Sequence, residues 1–538
     1  MMTTIPAHLA QYAADGSWTN MTIGDYARRW AETDPDRQVY LGDPTAPTYA
    51  SLLADGEALA RALHDLGLRT GDVIGFQVPN WVEASVINLA ANLGGFVIAP
   101  IVPIYRDAEV IQMLGDSKAR AFFVAETFRN YDFAGMVDRV HPHLPDLGHV
   151  IYVRPTERTA DFAALVEHGR GLNTPLDKVD PNALKLILYT SGTTGRPKGV
   201  LHSHNTLDRV AQFGRRYSGI PDDVTLMPSP VTHISGFSGG LEKPFAAGSQ
   251  VVLMEVWKAK EAVELIDRYG VTSTVAATPF LQELCDAAEA AGSKLPTFRR
   301  FACGGAAIPS ELVYTANKRL AHPCAYRVYG SSEVPLATPG VLPEESLELA
   351  AETDGRALDY ELRLVDDDGK EVPHGTDGEI LVRGPAMFLG YADEAQTRES
   401  LTADGFFRTG DIGRITPSGA LVITGRKKDL IIRGGENISA KEIEDVLHLH
   451  PAIKEAAVVS MPHARLGEGI CAYLIPAGEE KPDMATLSAF VSEAGLAKQK
   501  CPERIEWVES FPRTASGKIR KDVLRGMIKA KMEAEKAG

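Results

Sequence analysis

The stretch LYTSGTTGRPKGV, residues 188–200, follows a short apolar lead-in with glycines at 192, 195 and 199, hydroxyl side chains at 190, 191, 193 and 194, one arginine and Lys198. Glycines allow backbone N–H groups to approach an anion, hydroxyls add donors and the lysine adds positive charge, a combination that suits a phosphate chain. The stretch departs from the widespread GxxxxGK[ST] loop, because Gly192 and Gly195 stand three apart and Lys198 is followed by Gly199. Its local chemistry therefore leaves two readings, a phosphate-binding loop and an unspecialised glycine-rich turn.

On either side of this stretch, strand and helix patterns alternate. GDVIGFQVPN reads as a buried strand leading into the helix of WVEASVINLAANLG. SQVVLMEV precedes the helical AKEAVELIDRYG, followed by the strand VTSTVAA and the helix PFLQELCDAAEAA. Such alternation predicts an α/β architecture with largely parallel sheets. Near residue 360 the pattern changes: YELRLVDDDGKEV predicts a hairpin turning at Asp368-Gly369, and GEILVRG and GALVITG predict further short strands of a β-rich subdomain. The charged segment GRKKDLIIRGGENIS, 425–439, marks a boundary. Beyond it Ser439 and Glu442 have capping-box spacing ahead of AKEIEDVLHLHP, and a compact α+β unit follows. The expected division is 1–427 and 428–538.

A chain of 538 residues exceeds the usual size of a single core, so at least two domains are expected. The net charge of −15 argues against non-specific nucleic-acid binding as a main role but not against a small anionic ligand, which meets the local field. Five cysteines with no CxxC pair suit a reducing compartment and buried thiols, not a disulfide framework. The N-terminus lacks the basic start and apolar run of a signal peptide, so a cytoplasmic location is expected. The one membrane-like run, 86–105, is interrupted by two Asn, a Gly-Gly pair and two prolines, and predicts helix, turn and buried strand. KDVLRGMIKAKMEAEKAG at the C-terminus reads as a charged, solvated helix end.

Four further segments occur in order with SGTTGRPKG: YGSSE at 329–333, FFRTGDIG at 406–413, GRKKDLIIRGGENIS, and PRTASGKIRK at 512–521. In order and spacing they resemble the adenylate-forming superfamily of acyl-CoA synthetases, peptide-synthetase adenylation domains and beetle luciferases, over nearly the whole chain. The resemblance implies a large ATP- and acid-binding domain and a small mobile domain. It also implies a two-step reaction in which a carboxylate attacks the α-phosphate of ATP, and coenzyme A or a carrier protein then takes the acyl group. No carrier segment is evident within the sequence, so the thiol acceptor is expected to be a separate molecule.

Residue roles follow from the same resemblance. Thr190, Ser191, Gly192, Thr193, Thr194, Gly195 and Lys198 would cradle the β- and γ-phosphates. Glu333 would hold Mg2+, a hard cation that prefers oxygen ligands. Tyr329, Gly330, Ser331 and Ser332 would border the nucleotide, with the aromatic ring against adenine and Gly304, Gly305 and Ala306 forming the wall opposite. Asp411 would accept both ribose hydroxyls, with Arg426 in support. Lys518 would stabilise charge during adenylation, Lys428 would be the hinge, and Gly434 and Gly435 would lie along entering pantetheine once the small domain had swung.

His233 in PVTHISGF resembles the histidine of the acid-pocket motif, although Thr232 replaces the aromatic residue often found there. Gly236, Phe237, Cys303 to Ala307 and the apolar 334–340 are expected to line that pocket. These segments contain no Lys or Arg to pair with a second carboxylate, so a hydrophobic monocarboxylate is expected. His202 and His204, two apart with no supporting Cys or His, do not form a metal-site pattern.

Overall fold

The computed structural model describes residues 5–537 except 191–196, 218, 221, 306–307, 435 and 515–517. A seven-stranded sheet runs in the order Gly390–Tyr391, Lys198–Ser203, Leu184–Thr190, Val97–Pro100, Val73–Gln77, Ala119–Ala125, His149–Val153. The last five of these run parallel to one another, whereas Lys198–Ser203 pairs antiparallel with the strand on either side of it. Val73–Gln77 is buried at every position, as a strand covered on both faces requires. A second sheet, Gln250–Leu253, Val224–Met227, Ser273–Ala276, Arg300–Cys303, Ala325–Arg327, is parallel throughout.

Helix Val82–Gly94 is buried almost all round, between helix Tyr49–Asp65 and the helical run 234–247. An all-round apolar helix belongs in such a place. It ends where Gly95 takes φ +73°, and a β-carbon there would lie 2.8 Å from Thr70. The run 86–105 is thus helix, left-handed turn and buried strand. Among the described residues no helix is long and apolar enough to cross a membrane.

A four-stranded antiparallel sheet follows: Glu361–Val365, Gly378–Arg383, Phe407–Ile415, Leu421–Arg426. The turn at Gly369 forms, closed by Asp366 Oδ1 accepting the N–H groups of Asp368 and Lys370. The hairpin does not: the returning arm makes only the bridge Val365–Glu371, and Glu361–Val365 pairs with Gly378–Arg383 instead. Pro373, without an N–H, cannot extend a ladder.

The small domain is built on strands Leu430–Arg433, Glu436–Ser439, Ile453–His463, Gly467–Pro476 and Arg504–Trp507, with its own buried cores. Ser439 caps helix Ala440–Leu447 by accepting the Glu442 N–H at 3.3 Å. The reciprocal half of the expected capping box is replaced by other bonds. Ser439 Oγ donates to the Thr424 carbonyl, and the Glu442 carboxylate pairs with Lys500. The C-terminal segment is likewise more than a solvated end. Helix Lys521–Ala537 buries Leu524 and Ile528 against Val459 and Tyr473. All five cysteines are free, four of them buried.

Candidate active site

Residues far apart in sequence converge where the two domains meet. Thr190 ends strand Leu184–Thr190 and is in register with Lys198 on the next strand, so the glycine-rich stretch joins two antiparallel strands. Ser191 to Gly195 lie outside the described residues, as do Ala306, Ala307 and Gly435. Lys198 Nζ stands 5.0 Å from the centroid of the Tyr391 ring, and the Tyr391 hydroxyl donates to Glu333 Oε1 at 2.8 Å. The Glu333 carbonyl accepts the Phe388 N–H at 2.8 Å. These contacts hold the YGSSE loop against the Gly390–Tyr391 strand.

The same loop is pinned from beneath. His202 Nε2 donates to the Ser332 carbonyl at 2.7 Å, and burial pushes this imidazole down to about 4, so it is neutral at neutral pH. Ser332 itself is buried. Tyr329 and Thr338 exchange backbone hydrogen bonds that close the loop, and a β-carbon on Gly330 would fall 2.4 Å from the Leu336 nitrogen. Only glycine fits there.

Asp411, buried, has both oxygens engaged: Tyr329 OH donates to Oδ2 at 2.7 Å and Arg426 Nε to Oδ1 at 2.7 Å. Burial, followed by the Asp411 charge, holds the Tyr329 phenol well above its ordinary range, so it remains a donor. The carboxylate still has lone pairs to spare, since two oxygens offer about four acceptor sites.

Lys518 reaches this cluster from the small domain. Its N–H donates to Thr514 Oγ1 at 3.1 Å and its carbonyl accepts the Thr514 N–H at 2.7 Å, which closes the turn that presents it. A β-carbon on Gly305, where φ is +82°, would lie 3.6 Å from Lys518 Cε. Burial, then the charges of Arg426 and Lys428, lower the lysine's hold on its proton, against the pull of Asp411 and Glu333. His233 lies close enough to feel Lys518, and burial with that charge pushes it down to about 4.

Some predicted residues do not join the cluster. Gly434 takes φ +62° in the tight turn between Leu430–Arg433 and Glu436–Ser439, with its N–H on the Leu466 carbonyl of the small domain. Lys428, exposed in the 3-10 turn Lys427–Asp429 whose flanking side chains pair with Glu379 and with Arg525, stays at the edge of the cluster, near enough to feel Arg426 and Asp411. Phe237 and Cys303 are fully sealed in the core and line no open pocket, and Gly236 is pressed against the Pro230 carbonyl. His233, Ser235 and Gly239 on the helical run are partly exposed, as are Val275 and Leu336. Thr232, in place of the expected aromatic, is buried, and its hydroxyl has no partner among the described residues. Tyr391 and His202 carry no site signal in the sequence: FLGYAD has no pattern that separates a site tyrosine from a core one, and the His202–His204 spacing bears only on metal ligation.

Residues 27–392 match the AMP-binding enzyme family, and 442–518 match its C-terminal domain. The chain belongs to the AMP-binding enzymes. This adenylate-forming enzyme is 35% identical over 531 residues to the medium-chain fatty-acid–CoA ligase of Escherichia coli (strain K12), covering 96% of this chain and 92% of that protein. It is 32% identical to the 2,3-dihydroxybenzoate-AMP ligase of Bacillus subtilis (strain 168), with 98% of each covered. Its fold matches ATP-bound MatB from Rhodopseudomonas palustris with a TM-score of 0.84 at 28% identity, covering 94% of this chain and 99% of that one.

Proposed function

We propose that this adenylate-forming enzyme is an ATP-dependent carboxylic acid:CoA ligase of two domains, 1–427 and 428–538, acting on a hydrophobic monocarboxylate. The observation that carries the reading is Lys518 of the small domain beside Gly305, within electrostatic reach of Glu333, Asp411, Arg426 and His233. In the first step a carboxylate oxygen attacks the α-phosphorus of ATP and pyrophosphate leaves. In the second, the thiolate of coenzyme A attacks the acyl carbon and AMP leaves.

Thr190, the glycine-rich stretch and Lys198 bind the β- and γ-phosphates. Tyr329 and Ser332 border the nucleotide, Asp411 and Arg426 hold its ribose, and Lys518 stabilises the charge that builds between carboxylate and α-phosphate. Glu333 suits Mg2+, because Tyr391 takes one carboxylate oxygen and leaves the other for a hard cation. Bound there, the cation offsets phosphate charge. Tyr391→Phe is expected to raise the half-saturating Mg2+ concentration about tenfold, the scale of one hydrogen bond to a charged group. A titration of Mg2+ at fixed ATP measures it, and an unchanged midpoint counts against the assignment of Glu333.

For the acid, the partly exposed His233, Ser235, Gly239, Val275 and Leu336 include no Lys or Arg to pair a second carboxylate. The similarity to a medium-chain fatty-acid–CoA ligase supports the same class. Each buried methylene contributes about 0.8 kcal/mol, so the specificity constant should climb well over tenfold from acetate to acids of about six to eight carbons. A flat series, or a doubly charged best substrate, would show the pocket to be misplaced. Similarity to the 2,3-dihydroxybenzoate-AMP ligase favours a second reading, transfer to a carrier protein. Acid-dependent AMP release measured with coenzyme A, with a carrier protein and with neither separates the two.

A further inference from the structure

The helical run that starts beside His233 is not α-helical throughout. Ile234–Gly236 and Lys243–Ala247 flank a six-residue π segment, Phe237–Glu242. Such segments are rare inside helices and concentrate at functional sites. Relaxing one extra residue into α geometry would turn the preceding residues about 100° around the axis. His233 and Ser235, which precede the π segment, would then be turned relative to the residues that follow it.

The last residue of the π segment is held by a buried charge pair. Glu242 is 0% exposed and is paired with Lys185, 1% exposed, on strand Leu184–Thr190. Asn88 donates to the other carboxylate oxygen at 2.6 Å, Asn92 donates to the Asn88 carbonyl at 2.7 Å, and His204 Nδ1 lies 3.1 Å from Asn92 Oδ1. Lys185 stands five positions before Thr190, on the strand that leads into the glycine-rich stretch.

Stability does not account for this arrangement. Desolvating two ions offsets most of their attraction, and apolar residues of the same volume often serve a core as well or better. Registry does account for it, because only one position on the strand offers an ammonium group to the end of the π segment. The geometry points to Lys185 and Glu242 as positioning residues whose ion pair locks the π segment against the strand bearing Thr190, and so sets which helix residues face the acid. The inference rests on the assignment of the acid site beside His233. Acid selection then depends on a charge pair that no substrate touches.

Lys185→Met combined with Glu242→Gln removes both charges, roughly keeps the volumes and keeps an acceptor for Asn88. The double variant should stay folded, with a melting temperature within about 4 °C of the parent, because the neutral pair loses little net stability. Its KM for the acid should rise about tenfold or more, the scale of a displaced binding geometry. The contrast between acetate and the longer acids should shrink, while ATP affinity measured without acid changes less than about threefold. An unchanged acid KM and acid profile would overturn the proposal. If the double variant does not fold, Glu242→Asp provides the test. It keeps the charge, withdraws the carboxylate by one methylene and should shift the preferred acid length; an unshifted profile overturns the proposal. Absence of acid-dependent ATP–pyrophosphate exchange in the parent with every acid would overturn the ligase reading itself, and the proposal with it.

Discussion

Alanine at position 518 is expected to slow acyl-adenylate formation by about two to four powers of ten, the scale seen when a preorganised charge aimed at a transition state is removed. The side chain stands beside Gly305 and within electrostatic reach of Asp411, Arg426 and Glu333, the arrangement that the proposed first half-reaction requires. Its charge is held against desolvation at that one place, which makes it valuable to developing charge and useless elsewhere. Transfer from a supplied acyl-adenylate to coenzyme A should fall by less than about tenfold, since that step needs no charge at the α-phosphate. Acid-dependent ATP–pyrophosphate exchange and single-turnover thioester formation measure the two steps separately. Equal losses in both, or none, would remove Lys518 from the first step.

Proline at position 428 should leave adenylation within about tenfold of the parent and reduce thioester formation by about a hundredfold or more, because a fixed φ blocks the rotation a swinging domain requires. Residue 428 lies in the turn Lys427–Asp429, which links the strand ending at Arg426 with the small-domain strand beginning at Leu430. A moderate loss in the first step is expected because Lys427 occupies a helical turn, a conformation disfavoured before proline. Gly434 has its N–H on the Leu466 carbonyl of the small domain, so its proposed place along pantetheine would require such a motion. Normal overall turnover in Lys428→Pro would exclude the two-orientation mechanism for this chain.

The α/β architecture was legible because its signals are local. Val73–Gln77, Val82–Gly94 and Gly95 follow one another as strand, helix and left-handed cap, written as a short apolar run, a longer run rich in helix formers and one glycine whose φ is positive. The motif residues were legible because they sit in contiguous segments, and the resemblance of those segments carried their roles. Where local signals competed with tertiary ones, the tertiary ones prevailed. Asp368-Gly369 makes its turn, yet Glu361–Val365 pairs with a strand beyond Pro373; Ser439 caps its helix, yet Glu442 turns to Lys500.

What the sequence by itself determined is therefore the order of elements, the division into an α/β part, a β-rich part and a small domain, and the chemical types available to the site. Only the tertiary structure decided which groups meet: Tyr391 with Glu333 across 58 positions, His202 with Ser332 across 130, Lys185 with Glu242 across 57. It also sealed Phe237 and Cys303 in the core and left Ser235 and Val275 partly exposed. The physical reason is range. Backbone preference and hydrophobic period act over a few residues and are written in each segment, whereas a hydrogen bond or ion pair between distant strands exists only after the sheets have closed, and it depends on the register and curvature of everything between.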